Sequence, residues 1–237
     1  MWLIINSIQW LLILTVTFVC GPIAVLLALI SPKVSFYFSK HAWSRLFCII
    51  AGVRIEIKNI NRIKELDEHA IFCSNHQSNF DVVALYRTSI NPIHFIAKKE
   101  LKNLPFIGWY ISSIGMIFID RSNREKAIES MKKAGKLIKS GKDVFTFPEG
   151  TRSRTGELQM FKRGSFIIAK SNNIKIIPIG ISGSYEVNPP KSFNLRPGKI
   201  TVNFGDPLSP NDYTSYTPEK LADLTKEKVA QLIAESS

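Results

Sequence analysis

The chain has 237 residues, with 31 Lys and Arg against 19 Asp and Glu, a net charge of +12. That length accommodates one large α/β domain with an appendage, and the charge favours anionic partners: phosphates, acidic lipid head groups or nucleic acid. Cys20, Cys48 and Cys73 are odd in number, lie in apolar surroundings and form no close pair, which argues against a disulfide framework or a metal site and for packing roles in a reducing compartment.

Residues 1–32 carry no charged side chain, and residues 8–30 are almost continuously apolar, long enough to cross or enter a bilayer, with Gly21-Pro22 interrupting the run. The charges that follow, Lys33, Lys40 and Arg45, are all positive and put this end on the cytoplasmic side. No basic residue precedes the run, so a cleaved signal peptide is not expected. Residues 34–53 mix aromatic and apolar side chains with Lys40, His41 and Arg45 and read as interfacial. A soluble core helix normally has a polar face. Residues 1–52 are therefore expected to form a membrane-embedded hairpin or bent helix carrying a cytoplasmic domain over 53–237.

From residue 53 the pattern changes. Val53-Arg54-Ile55-Glu56-Ile57-Lys58 alternates strictly and predicts a half-buried strand. The run 70–74 predicts a buried strand, followed by a helix with Ser78 at its cap and Asp81 in its first turn. Strands are expected at 93–97 and 116–119. The apolar, aromatic stretch 105–111 suits either the core or a lipid-facing surface. Ser122 with Glu125 forms a capping box for a helix that Gly141 ends. Further strands are expected at 144–147, 174–181 and 199–204, and Thr217-Pro218 opens a last amphipathic helix with Leu221, Leu224, Val229, Leu232 and Ile233 on its apolar side. Strands alternating with helices predict a single α/β domain with a largely parallel central sheet flanked by helices. In such sheets ligands bind beyond the carboxyl ends of the strands. His76, Arg121 and Glu149 each follow a predicted strand, so three distant stretches converge on one crevice.

Two of these stretches carry chemistry. In Asn75-His76-Gln77-Ser78-Asn79-Phe80-Asp81, a loop-to-helix junction lets the Asp81 carboxylate accept an imidazole N–H, fix the tautomer and leave the other nitrogen free as a base. The same residues also read as a plain capping box beside an ordinary loop histidine, and the seven alone do not separate the two. In Phe147-Pro148-Glu149-Gly150-Thr151-Arg152-Ser153-Arg154, Gly150 permits close backbone approach, Thr151 and Ser153 offer hydroxyls, and Arg152 offers a planar fork suited to phosphate, with Arg121 as a second cation.

Together these blocks resemble the bacterial-type 1-acylglycerol-3-phosphate acyltransferases over nearly the whole length of the chain. The NHxxxxD block matches Asn75, His76 and Asp81; the second matches Gly115 through Arg121; FPEGTRS matches Phe147 through Ser153; Ile177-Pro178-Ile179 matches the fourth; and residues 98–101 resemble the Lys-Glu-Leu element. The resemblance implies acyl transfer from acyl-CoA or acyl carrier protein to the sn-2 hydroxyl of lysophosphatidic acid, making phosphatidic acid for phospholipid synthesis at the inner membrane, with no cofactor beyond the thioester co-substrate. It implies His76 as general base supported by Asp81, and Arg121, Glu149, Gly150, Thr151 and Arg152, with Lys98, at the glycerol phosphate head. Glycerol-3-phosphate or a lyso-ornithine lipid is the alternative acceptor.

Other classes fit less well. A serine acyl-enzyme needs G-x-S-x-G, but Gly180-Ile181-Ser182-Gly183-Ser184 has serine in the last position. His41, His69, His76 and His94 lack metal-ligand spacing. No nucleic-acid-binding signature accompanies the dispersed basic residues. A non-enzymatic basic membrane adaptor would explain the charge and the apolar start, but not a His/Asp pair and an arginine loop both placed after strands.

Overall fold

The computed structural model describes residues 2–64, 66, 68–120 and 124–236. Its strands in chain order are β1 (Val53–Lys58), β2 (Ile71–Ser74), β3 (Ile93–Lys98), β4 (Ile117–Ile119), β5 (Asp143–Thr146), β6 (Ile176–Ser182) and β7 (Gly198–Phe204), joined in one sheet ordered β1-β7-β6-β2-β5-β3-β4. β6, β2, β5, β3 and β4 run parallel; Phe72 pairs with Phe145 on one side and Ile177 on the other. β7 is antiparallel to β6 and parallel to β1. Each expected strand is present within two residues of its expected bounds. Because β7 and β1 are reversed, their amino ends lie at the edge where β2, β5 and β6 have their carboxyl ends.

The strands are apolar on both faces because both faces are covered. Phe72, Phe145 and Ile177 pack with Phe80, Val83 and Ala84 of α5 (Phe80–Thr88) and with Phe36 and Phe47 of the amino-terminal segment. Their alternate neighbours Ile71, Val144 and Ile176 pack on the other face with residues of three helices. Before these lie α1 (Trp2–Ile30), α2 (Pro32–Phe38), α3 (Ser44–Ala51) and the short α4 (Asn61–Lys64); after α5 comes α6 (Ile107–Ser113). The three helices of the second face are α7 (Arg124–Lys139), α8 (Gly164–Asn172) and α10 (Pro218–Ala234), with the single turn of α9 (Ser184–Val187) on the way to β7. The capping residue expected for α7, Ser122, lies outside the described residues, and Gly141 ends that element at φ +86°. Thr217 caps α10 as its spacing predicts, accepting the Lys220 N–H at 3.2 Å. α8 was not signalled, because Arg163 at its start provides no side-chain cap.

α1 runs unbroken through Gly21-Pro22, and at 1.5 Å per residue it is roughly 43 Å long. Gly21 is a notch, not a break: a Cβ there would stand 3.0 Å from the Cβ of Phe106, which packs edge-on against Phe18. α2, a π-helical turn (Ser39–Trp43) and α3 return antiparallel along α1, linked by Ser35 Oγ to Ala24 O, Trp43 Nε1 to Thr17 Oγ1 and Gln9 Nε2 to Ile50 O. The most apolar stretch of α1 is only 22% buried, so α1 is no core helix, and it is long and apolar enough to cross a membrane. Trp109 of α6 is 56% exposed beside it, while Gly108 and Ile111 of the same helix face inward. The stretch 105–111 thus has one side in the core and the other exposed.

The paired helices are held to the domain by aromatic contacts. Phe47 and Phe80 meet edge to face at 5.1 Å, and Trp43 and Phe36 both contact Tyr86. Phe80 is fully buried, so Phe80→Ala is expected to lower unfolding stability by about 3 kcal/mol or more in denaturant titration; a loss under about 1 kcal/mol would show that this junction carries little of the packing.

Candidate active site

β2 and β5 are neighbours, but β2 leads into α5 on one face of the sheet and β5 leads toward α8 on the other. Loops that leave adjacent parallel strands in opposite directions open a crevice between them. The loop after β2 carries residues 75–79 and the loop after β5 carries 147–163.

Backbone and side-chain clips fix the first loop. Asn75 is fully buried; its Nδ2 donates to Ile181 O and its Oδ1 accepts from Ile181 N, each at 2.8 Å, tying the end of β2 to the end of β6. His76 O accepts from Ser153 N at 2.8 Å, and Ser78 Oγ donates to Asn188 O at 2.8 Å. These bonds pin the loop on two sides.

On this frame His76 Nδ1 lies 2.7 Å from Asp81 Oδ2. The same oxygen accepts the backbone N–H of Gln77 at 2.7 Å and of Ser78 at 2.8 Å. Two backbone N–H donors on that oxygen mark it as an acceptor, which places Nδ1 to donate to it in the tautomer that leaves Nε2 free to accept. Asp81 is 0% exposed. The expected capping box is half built: Asp81 takes the Ser78 N–H, while the Ser78 hydroxyl accepts from Phe80 N and Asn79 occupies the cap position. Capping and orientation of His76 are one arrangement rather than alternatives. Phe147 stacks on the imidazole, with centroids 3.9 Å apart and planes 13° apart, which sets the plane of the ring.

Glu149 sits on the backbone of His76. Its Oε1 accepts His76 N–H at 2.8 Å and its Oε2 accepts from Gln159 Nε2 at 2.9 Å, so both oxygens are engaged inside the protein. The residue is buried, and that desolvation pushes its carboxyl up to about 7, against the hydrogen bonds from His76 and Gln159 that favour the charged form. Gln159 lies outside every motif read in the sequence. Only its amide beside a predicted buried carboxylate could have singled it out.

Arg152 Nη1 donates to Asn79 Oδ1 at 2.8 Å, which brings the second loop onto the first turn of α5. Gly150 turns the chain at φ +76° and Thr151 is exposed beside it. Lys98 ends β3 and pairs with Glu100 at 3.4 Å, both more than half exposed. Arg121 lies outside the described residues. His76, Asp81 and Glu149 are therefore linked by hydrogen bonds, Arg152 is tied to Asn79 of the same loop as His76, Gly150 and Thr151 lie between Glu149 and Arg152 in sequence, and Lys98 ends a neighbouring strand.

Residues 54–182 match the protein-family model described as Acyltransferase. The chain is 32% identical over 184 residues to the 1-acyl-sn-glycerol-3-phosphate acyltransferase of Saccharomyces cerevisiae, covering 76% of this chain and 61% of that protein. It is 31% identical over 203 residues to the protein of the same name from Pseudomonas aeruginosa, covering 83% and 77% respectively. The chloroplastic relative LPAT1 from Arabidopsis thaliana is 31% identical, and the chain spans 48% of its length. Several of these relatives are thus much longer than the part matched here. The crystal structure of the 1-acyl-sn-glycerophosphate (LPA) acyltransferase PlsC from Thermotoga maritima has the same fold, with TM-score 0.85 over 100% of this chain and 98% of that one at 24% identity.

The raised carboxyl of Glu149 has a signed consequence. Between its ordinary value of 4.5 and about 7 the folded chain binds a proton that the unfolded chain has released, so this group makes stability fall as pH rises through that window. Glu149→Gln stays neutral and is expected to lose that slope. Denaturant unfolding from pH 4.5 to 7.5 should show the variant gaining on wild type as pH rises; parallel curves would contradict the assignment.

Proposed function

The chain belongs to the acyltransferase family, and on that premise we propose that it transfers an acyl group from an acyl thioester to the sn-2 hydroxyl of 1-acylglycerol-3-phosphate, making phosphatidic acid. The observation that carries this reading is the His76–Asp81 pair: a buried carboxylate oxygen holding Nδ1–H at 2.7 Å while two backbone N–H groups hold the oxygen.

The acceptor hydroxyl approaches Nε2, which takes its proton as the oxygen attacks the thioester carbonyl. The tetrahedral intermediate collapses, the C–S bond breaks, and the imidazolium returns the proton to the departing thiolate. Asp81 stabilises the imidazolium that exists between these two transfers. A base positioned in this way is typically worth about 10² to 10⁴ in rate. Transfer is direct, with no acyl-enzyme. The acceptor's phosphate is held by Arg152 and by the turn at Gly150 and Thr151, with Lys98 and Arg121 as further cations. Glu149 acts through the backbone of His76, where a carboxylate supports the loop without meeting the phosphate.

The donor is acyl-CoA or acylated acyl carrier protein, both acidic, as a net charge of +12 favours. Residues 1–52 anchor the enzyme in the inner membrane, and residues 53–237 form the catalytic domain on the cytoplasmic side. This placement rests on the exposed apolar surface of α1 and on the positive charges of Lys33, Lys40 and Arg45 that follow it. Lipid substrate and catalytic crevice then share one boundary.

Transfer of a labelled acyl group from coenzyme A and from acyl carrier protein to lysophosphatidate in detergent micelles tests the reading. Wild type should form phosphatidate, and His76→Ala should abolish turnover while keeping the wild-type unfolding transition. Active product formation by a folded His76→Ala variant would remove the histidine from the mechanism; no product from folded wild type with either donor would remove lysophosphatidate as acceptor. Arg152→Ala is expected to raise the acceptor KM by about 10-fold or more, the scale of a charge-assisted hydrogen bond. An unchanged acceptor KM with unchanged kcat/KM would count against that role.

A further inference from the structure

One lysine lies on the phosphate-binding turn with no part in the reading so far. Gly150 adopts φ +76°, and a Cβ built on it would stand 2.7 Å from Nζ of Lys162, 3.1 Å from its Cε and 3.2 Å from its Cδ. The lysine side chain is thus laid across the one residue of the turn that has no side chain of its own. Its backbone is tied to the same turn, because Lys162 N–H donates to Pro148 O at 2.9 Å.

An ordinary surface lysine is mobile, and ordering its long stem costs conformational entropy. Here the end of the stem lies against Gly150, the residue is exposed, and Lys162 takes part in none of the ion pairs among the described residues. Its neighbour Arg163 is instead engaged by Glu219 at 2.7 Å. Arg152 projects from the same turn, oriented through Nη1 by Asn79. The guanidinium and the ammonium are thus carried by one loop. The planar fork and the compact ammonium are complementary ligands for one phosphate group.

The geometry points to Lys162 as a binding cation for the phosphate of the acceptor, acting with Arg152 on the turn at Gly150. The assignment rests on the acceptor reading above.

The full-length protein in detergent micelles, assayed with lysophosphatidate titrated at saturating acyl-CoA, tests it with Lys162→Gln and Lys162→Arg. Lys162→Gln should raise the acceptor KM about 10-fold or more with kcat within about 2-fold, and Lys162→Arg should recover most of the loss. The donor KM should not move in either variant. An acceptor KM unchanged in Lys162→Gln, or a rise in the donor KM instead, overturns the assignment while leaving the acceptor reading intact. Failure of wild type to acylate lysophosphatidate overturns the acceptor reading, and this assignment with it.

Discussion

The site depends on one buried carboxylate oxygen. Asp81 Oδ2 accepts from the His76 imidazole and from the backbone of Gln77 and Ser78, all within 2.8 Å, in a residue that is 0% exposed. Burying a lone carboxylate would be costly, and these donors replace the water lost at Oδ2, whereas Oδ1 is buried without a hydrogen-bond partner among the described residues. In return the carboxylate shapes the turn between β2 and α5 and selects the tautomer of His76. The helix start and the orientation of His76 are therefore one structure, and neither can be altered without the other.

That oxygen is held in place by bonds that reach across the sheet. Asn75 clips the loop to β6, Ser153 clips it to the loop after β5, and Glu149 grips His76 N–H from the same side. Each is a contact between residues more than seventy positions apart in sequence. They meet because β2 lies between β6 and β5, with the helices that follow β2 and β5 departing to opposite faces. The reversed direction of β7 and β1 brings a further element to this edge: α3 runs directly into β1 there, so the paired apolar helices join the domain at the end where the crevice opens. Chain reversal at one side of the sheet thus links the long apolar helix to the end of the sheet where the crevice opens.

Charge is organised around the crevice in two layers. Beneath it, Glu149 is a buried acid whose oxygens are both engaged; above it, Arg152 and Lys162 sit on the turn at Gly150. Glu149 is turned to the backbone of His76, while Arg152 and Lys162 are carried further along the same loop after β5.

Much of this was legible in the residues themselves. Two-residue alternation at 53–58, apolar runs bounded by Gly, Asn and Asp, and the Thr217-Pro218 cap are local signals, because backbone hydrogen bonding and side-chain periodicity act over a few positions. The His76–Asp81 spacing pointed to a paired imidazole and carboxylate for the same reason. Local signals could not say whether Asp81 capped a helix or oriented a base, that Glu149 would turn to His76 N–H, or that Gln159, Asn79, Phe147 and Lys162 would join the site. Nor could they show α1 passing unbroken through Gly21-Pro22, where Phe106 fills the notch. Those outcomes were decided by strand order and by which side chains meet across the sheet, and such contacts form between segments whose own local propensities carry no record of each other.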